Sequence, residues 1–333
     1  MLTWLQFFGA AVLVVIGGKI LTDHAERLAA AKGLTRLWLG FILLAGATSI
    51  PELATAVGAV TLADSPALAL GDLLGSNAFN IFIISLLGLF FKGRSILHPL
   101  SLRPFRLLLS SSAIMTVVVL GDILARRMGI VLNLGHLDVG AIILLSLYLA
   151  SSYLVFQDER KSAQTSGIKP SGKQLGPGFY LSLGLSLGAV IAAGCWLSIS
   201  ADKIARITGW GATFVGALFL ALVTSLPEVV VSLSAIRLGS ADMALGNIFG
   251  SNIFNLTIIF WADLADGSGP LLGAADNASI GTGILALTLT GIAATGLGTR
   301  MRTRLWGTRW DTTTIALVYL AGMYAIFCLS AGN

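Results

Sequence analysis

The sequence predicts an all-α polytopic membrane protein whose ten transmembrane helices form two inverted five-helix repeats. Three observations carry this prediction. First, 56% of the 333 residues are hydrophobic and only 11% are charged, with a mean hydropathy of +0.88, whereas a soluble domain carries about 25% charged residues. The apolar runs are continuous over roughly 20 residues, the length of a spanning helix, and do not alternate as barrel strands do. Second, one polar motif occurs twice. Third, the basic residues fall unequally on the two sides of the predicted spans.

The spans run over Leu2–Leu21, Leu37–Val60, Ala67–Phe91, Leu107–Ala125, Val139–Phe156, Phe179–Ile199, Thr213–Ile236, Ala241–Trp261, Ile280–Leu297 and Thr312–Leu329. The first has no basic segment before its apolar run and reads as a spanning helix rather than a cleaved signal. The polar stretch Gln157–Gly178 separates five spans from five and reads as a short flexible linker. The expected division is therefore 1–157 for the first repeat, 158–178 for the linker and 179–333 for the second repeat. With the N-terminus outside, 17 of the 21 Lys and Arg residues fall inside; Arg126, Arg127, Lys203 and Arg206 fall outside. Basic loops stay cytoplasmic, so both termini are expected outside and the linker cytoplasmic. The net charge of +5 comes from these short loops. It implies a lipid bilayer as partner and no nucleic acid; a monomer suffices for everything read here.

The repeated motif supplies the chemistry. Its first copy is Thr48-Ser49-Ile50-Pro51-Glu52 followed by Leu70-Gly71-Asp72-Leu73-Leu74-Gly75-Ser76-Asn77-Ala78-Phe79-Asn80. Its second is Thr224-Ser225-Leu226-Pro227-Glu228 followed by Leu245-Gly246-Asn247-Ile248-Phe249-Gly250-Ser251-Asn252-Ile253-Phe254-Asn255. Seven of the eleven later positions are identical. Ionisable and amide groups inside spans mark function by default, and the same set appearing twice is not explained by helix packing. With five spans per half, an odd number, the two copies run in opposite directions across the membrane. Inverted repeats that meet at the midplane, with interrupted helices at equivalent positions, are a recurrent transporter architecture. Here Pro51 and Pro227 interrupt, and they are expected to free carbonyls near Ala45, Ala47 and Thr48, and near Ala221, Val223 and Thr224. Gly71, Gly75, Gly246 and Gly250 permit close helix approach around the motif.

Thr48 and Glu52, Ser76 and Asn80, Thr224 and Glu228, and Ser251 and Asn255 are each four apart and share a helix face. Packing the halves together brings Glu52 towards Glu228, with Ser49, Ser225, Ser76, Ser251, Asn80 and Asn255 around them. Such an all-oxygen set suits hard cations; soft metals would call for Cys, Met or His. His24, His98 and His136 lie near span ends, and Cys195 and Cys328 lack ligand spacing. Two close carboxylates in a low-dielectric site repel. They need one divalent cation, two or more monovalent cations, or protons, and competition among these is a basis for exchange. An intramembrane aspartyl protease is excluded by the absence of a Tyr-Asp pair, and a serine protease by the absence of a placed His. A channel is disfavoured because paired deep carboxylates bind too tightly for fast flow.

On these motif residues the chain resembles the cation/calcium exchanger superfamily, the prokaryotic sodium/calcium exchangers in particular. The resemblance implies a secondary active antiporter, not an enzyme, with no cofactor and with Ca²⁺ and Na⁺ as transported ions. It implies that Glu52 and Glu228 hold Ca²⁺, helped by the main-chain carbonyls of Thr48 and Thr224. It places Na⁺ on Ser49, Ser76, Ser225 and Ser251 with the carbonyls of Ala45 and Ala221, and sets Asn80 and Asn255 between the glutamates. Spans one and six would slide to open the site to each side alternately, with several Na⁺ exchanged per Ca²⁺. Ca²⁺/H⁺ exchange, or exchange of another cation for H⁺ or Na⁺, on the same scaffold is the alternative. The chain departs from the family pattern in three ways. Ala47 and Val223 replace glycines before the two Thr-Ser pairs. Both central positions are Asn, which argues against K⁺ co-transport. Asp72 stands where the second repeat has Asn247; it reads either as a cap on the third span or as a third carboxylate that adds a proton or monovalent cation to the cycle.

Overall fold

The computed structural model describes residues 2–32, 36–90, 102–135, 137–166, 175–267, 269–298, 304–305 and 308–331. It is nearly all helical, because a chain in hydrocarbon must satisfy every backbone polar group within itself. The helices are α1 (Leu2–Lys32), α2 (Arg36–Trp38), α3 (Ala45–Thr48), α4 (Ile50–Thr61), α5 (Pro66–Phe90), α6 (Leu102–Arg127), α7 (Val139–Ser166), α8 (Pro177–Thr208), α9 (Ala212–Val215), α10 (Ala221–Thr224), α11 (Leu226–Arg237), α12 (Ala241–Asp266), α13 (Asn277–Gly298) and α14 (Trp310–Ala331). Two π-helical segments, Leu39–Leu44 and Gly216–Leu220, join α2 to α3 and α9 to α10. Among the described residues nine segments are long and apolar enough to cross a membrane, and the pair 212–224 and 226–237, bent by 42°, makes a tenth.

Several helices outrun the predicted spans. α1 continues eleven residues past Leu21, and α7 continues to Ser166, so the first ten residues of the expected flexible linker are helical. Hydropathy reads the thickness of the bilayer, not the end of a helix. The last nine residues of that extension, His24-Ala25-Glu26-Arg27-Leu28-Ala29-Ala30-Ala31-Lys32, are mainly strong helix formers. At 31 and 32 residues, α1 and α8 are each about 47 Å long, well beyond the roughly 30 Å hydrocarbon core. They pack along each other, and α8 also lies along α4 while α1 meets α11.

α5 and α12 form the centre. In each, 89% of the apolar stretch is buried, against 22–50% in α1, α6, α7, α8, α13 and α14. A helix apolar on every face belongs in a core, and these two carry the second part of each motif copy. Around them the packing is reciprocal. The first π-segment lies against α12 and the second against α5. Gly71 and Gly75 face the backbone of Thr213 and Ala217, while Gly250 faces the backbone of Phe41. A Cβ at any of these glycines would collide with that backbone. Asn77 Nδ2 donates to the Asn252 carbonyl at 3.1 Å, and Asn252 Nδ2 donates to the Asn77 carbonyl at 3.1 Å. Residue i meeting j while j meets i is what a two-fold between the halves produces.

At one membrane face, a two-residue hairpin of β1 (Asn133–Leu134) and β2 (Leu137–Asp138) is tied to the bundle. Arg126 on α6 bonds Asp122 at 2.7 Å, Asn133 at 2.9 Å and Asp138 at 2.5 Å. Asp263 on α12 accepts the Asp138 N–H at 3.3 Å and the Leu271 N–H at 2.7 Å. Burial, and then a carboxyl–carboxyl bond with Asp122, push the Asp138 carboxyl up to about 6.

Candidate ion-binding site

The two motif copies adopt the same backbone. α3 stops at Thr48; Ser49 sits at φ −87°, ψ 4°, and α4 restarts at Ile50. α10 stops at Thr224; Ser225 sits at φ −88°, ψ 6°, and α11 restarts at Leu226. Pro51 and Pro227 fall in the first turn of the new helices, where a missing N–H leaves nothing unsatisfied. The break therefore lies at the serines, and each proline starts a helix rather than kinking one. This corrects one expectation. The carbonyls of Ala45 and Ala221 are not freed: they accept the Ser49 and Ser225 N–H groups at 3.0 and 3.1 Å. The π-segments just upstream were not legible in the sequence; such segments recur at functional sites.

The restart places Glu52 and Glu228 in the first turns of α4 and α11, where the helix dipole favours an anion. Both side chains are fully buried. Glu52 Oε1 accepts the Ser225 hydroxyl at 3.0 Å, a bond across the two halves, and Glu228 Oε1 accepts the Ser251 hydroxyl at 3.2 Å. Thr48 Oγ1 lies 3.3 Å from Ser251 Oγ and 3.4 Å from Asn247 Oδ1. Thr224 Oγ1 lies 3.5 Å from Ser76 Oγ and shares its proton between the Leu220 carbonyl at 3.0 Å and Asp72 Oδ1 at 3.3 Å. The Thr48–Ser251 and Thr224–Ser76 contacts mirror each other, whereas the glutamate bonds differ: Glu52 is bonded to Ser225 of the other half and Glu228 to Ser251 of its own.

Asp72 is not a cap. Ser65 already occupies that place, its carbonyl taking the Leu68 and Ala69 N–H groups ahead of Pro66 at the helix start. Asp72 is the seventh residue of α5 and fully buried. Its Oδ2 accepts the Thr55 hydroxyl at 2.5 Å and its Oδ1 the Thr224 hydroxyl at 3.3 Å. It thus belongs to the same polar cluster, within Coulombic reach of Glu52 along with Glu228. Thr55 and Ser232, which supports Asn247 at 3.2 Å, went unread in the sequence because neither lies in the repeated words. Asn77 and Asn252 could have been found: they are identical in the two copies.

Nine buried polar atoms of the motif have no hydrogen-bond partner: Ser49 Oγ, Glu52 Oε2, Glu228 Oε2, Asn77 Oδ1, Asn252 Oδ1, and both amide atoms of Asn80 and of Asn255. More than nine in ten buried polar groups in proteins are satisfied, so this concentration is unusual, and it lies on the residues that repeat. Among the described residues no Lys or Arg forms an ion pair with Glu52, Asp72 or Glu228. Nor do three His, Cys, Asp or Glu side chains converge into a chelate. The unpartnered atoms are hydroxyl, amide and carboxylate groups, a mainly oxygen donor set of the kind that suits hard cations. His24 is engaged elsewhere, with Ile20 at 2.7 Å and Ser182 at 3.1 Å. His98 and His136 lie outside the described residues.

A multi-pass helical membrane protein with duplicated, broken helices around buried oxygens is a transport protein, not an enzyme. The chain matches the family described as sodium/calcium exchanger protein over residues 2–157 and 178–330, and it belongs to that family. It is 28% identical over 269 residues to the inner membrane protein YrbG of Escherichia coli (strain K12), covering 75% of this chain and 78% of that one. Its fold is similar to the crystal structure of the H⁺/Ca²⁺ exchanger CAX, with a TM-score of 0.68 at 14% identity over 99% of this chain and 85% of that one. It is also similar to the sodium-calcium exchanger NCX_Mj, with a TM-score of 0.60 at 20% identity over 98% of each chain.

Proposed function

We propose that the protein exchanges Ca²⁺ for Na⁺ across a prokaryotic inner membrane by alternating access, holding the ions between Glu52 and Glu228. The observation that carries this reading is the set of nine unpartnered buried atoms on the repeated motif. Ca²⁺ would take the two glutamates with the main-chain carbonyls of Thr48 and Thr224. Na⁺ would use Ser49, Ser76, Ser225 and Ser251 with the carbonyls of Ala45 and Ala221, the first giving up its bond from the Thr48 hydroxyl to the ion. Asn80 and Asn255 would line the centre. The halves 1–157 and 179–333 act as the inverted repeats, with both termini outside and the linker 158–178 cytoplasmic. α1 and α8, which pack along each other across the broken helices, are the pair that would slide.

A second reading, Ca²⁺/H⁺ exchange, is favoured by Asp72. A third buried carboxylate beside the glutamates calls for one more positive charge than a pair does, and a proton or a second monovalent cation would supply it. Uptake of ⁴⁵Ca²⁺ into Na⁺-loaded proteoliposomes, with a pH-gradient control, separates the two. Uptake that requires the Na⁺ gradient and is lost in Glu52→Gln and Glu228→Gln supports sodium coupling. Uptake driven equally by a pH gradient supports proton coupling. No flux under either gradient would overturn both.

A further inference from the structure

Away from the ion site, a groove of about 330 Å³ runs between α6 and α13. Arg106 lies at one end; Leu109, Ala113, Leu287, Gly291 and Leu297 line the rest. Arg106 is the fifth residue of α6 and Leu297 the last but one of α13, so both mark the same membrane face. From there the groove reaches Ala113 along α6, about 10 Å of rise, and Leu287 along α13, about 15 Å. The hydrocarbon of one leaflet is about 15 Å deep, half of the core. The groove is thus an apolar slot one leaflet deep with a guanidinium at its mouth. Arg103, Arg126 and Arg206 each have an aspartate within 4 Å. Arg106 is exposed and, among the described residues, has no acidic partner.

We propose that this groove binds one anionic phospholipid, its acyl chain between α6 and α13 and its phosphate on the Arg106 guanidinium. The leaflet is the cytoplasmic one if the basic-residue bias sets the orientation: Arg103 and Arg106 open α6, and Arg300, Arg302 and Arg304 follow Leu297 in the sequence. Guanidinium groups suit phosphate by their fork of donors, and basic pockets between spanning helices on that side bind anionic headgroups. A second groove, about 360 Å³ and lined by residues including Leu53, Cys195 and Trp261, has no charged lining residue. It can take a chain but offers no choice of headgroup.

The test is native mass spectrometry of the purified protein equilibrated with equimolar phosphatidylglycerol and phosphatidylcholine of identical acyl chains. The wild type should retain one phosphatidylglycerol with about fivefold preference, the worth of one basic residue at a membrane surface. Arg106→Gln should abolish the preference, while Arg103→Gln should keep it. Gly291→Leu should reduce retention of both lipids by filling the slot; a Cβ at Gly291 meets nothing within 4 Å, so the position has room for a side chain. Equal retention of the two lipids by the wild type, or a preference that survives Arg106→Gln, overturns the proposal. So does a preference lost equally in Arg103→Gln, which would assign it to the general charge of the face. None of these readouts depends on which ions the protein transports.

Discussion

The charge balance of the ion site makes Glu52→Gln the most informative substitution. Gln has the shape of Glu and keeps an oxygen for the Ser225 hydroxyl, which donates to Glu52 Oε1 at 3.0 Å, so the helix break should survive. What would be lost is one of the two carboxylates that the proposed Ca²⁺ site sets on the ion. Removing one partner from a buried charge pair costs about 3–5 kcal/mol, which corresponds to a weakening of Ca²⁺ binding by about 150- to 5,000-fold. The assay is the thermal midpoint of the purified protein with and without Ca²⁺. At 100 times its Kd, Ca²⁺ should stabilise the wild type by about 2.7 kcal/mol. At that concentration the variant sits below its own Kd and should gain less than about 0.4 kcal/mol. Without ions the order reverses: the variant should melt above the wild type, because Glu52 no longer repels Glu228 and Asp72. A variant that retains half or more of the wild-type Ca²⁺ shift would refute the placement of Ca²⁺ on Glu52. A normal Ca²⁺ shift lost only in Glu228→Gln would mean that one glutamate binds alone.

Three further outcomes are expected. Asn77→Leu and Asn252→Leu each break one arm of the reciprocal pair and lose one buried hydrogen bond, about 0.5–1.5 kcal/mol; chemical unfolding should find the two losses equal to within about 0.5 kcal/mol, and unequal losses would count against the two-fold. Asp72→Asn should preserve Ca²⁺ uptake but change the charge moved per cycle by one, read from the gradient ratio at which flux reverses; an unchanged ratio removes Asp72 from the ion cycle. Asp138 lies outside the spans, and its carboxyl is raised from an ordinary 3.8 to about 6, so the folded protein binds more protons than the unfolded chain between those values. Its contribution to stability is then greatest below about pH 3.8 and is lost as pH rises through about 6; the difference in thermal midpoint between wild type and Asp138→Asn should shrink or change sign over that interval, and a flat difference would mean that Asp138 titrates normally.

The residues that were legible in the sequence and those that were not differ in kind. Glu52, Glu228 and the flanking Ser and Asn residues were visible because burial in an apolar run is itself a signal, and because each appears twice; duplication stands in for a second observation of the same site. The order of spans was visible because bilayer thickness imposes a length on hydropathy. The break at Ser49 and Ser225 was assigned instead to the prolines two residues on. Proline announces a discontinuity, but whether it kinks a helix or begins one depends on the register upstream, and here that register is set by π-helical turns at Leu39–Leu44 and Gly216–Leu220 whose composition is ordinary. Asp72 was ambiguous for a related reason. Asp near a helix start is a common cap, and only the observation that Ser65 and Pro66 already begin α5 moves Asp72 nearly two turns inward. Once there, the comparison with Asn247 acquires physical content. The two positions occupy equivalent places, Asp72 taking the Thr224 hydroxyl and Asn247 the Thr48 hydroxyl, but one is an ionisable carboxyl group and the other a neutral amide. The frame repeats while the ionisable group does not, so the two halves present unequal electrostatic surfaces to the same central site. Any account of coupling in this chain has to begin from that inequality.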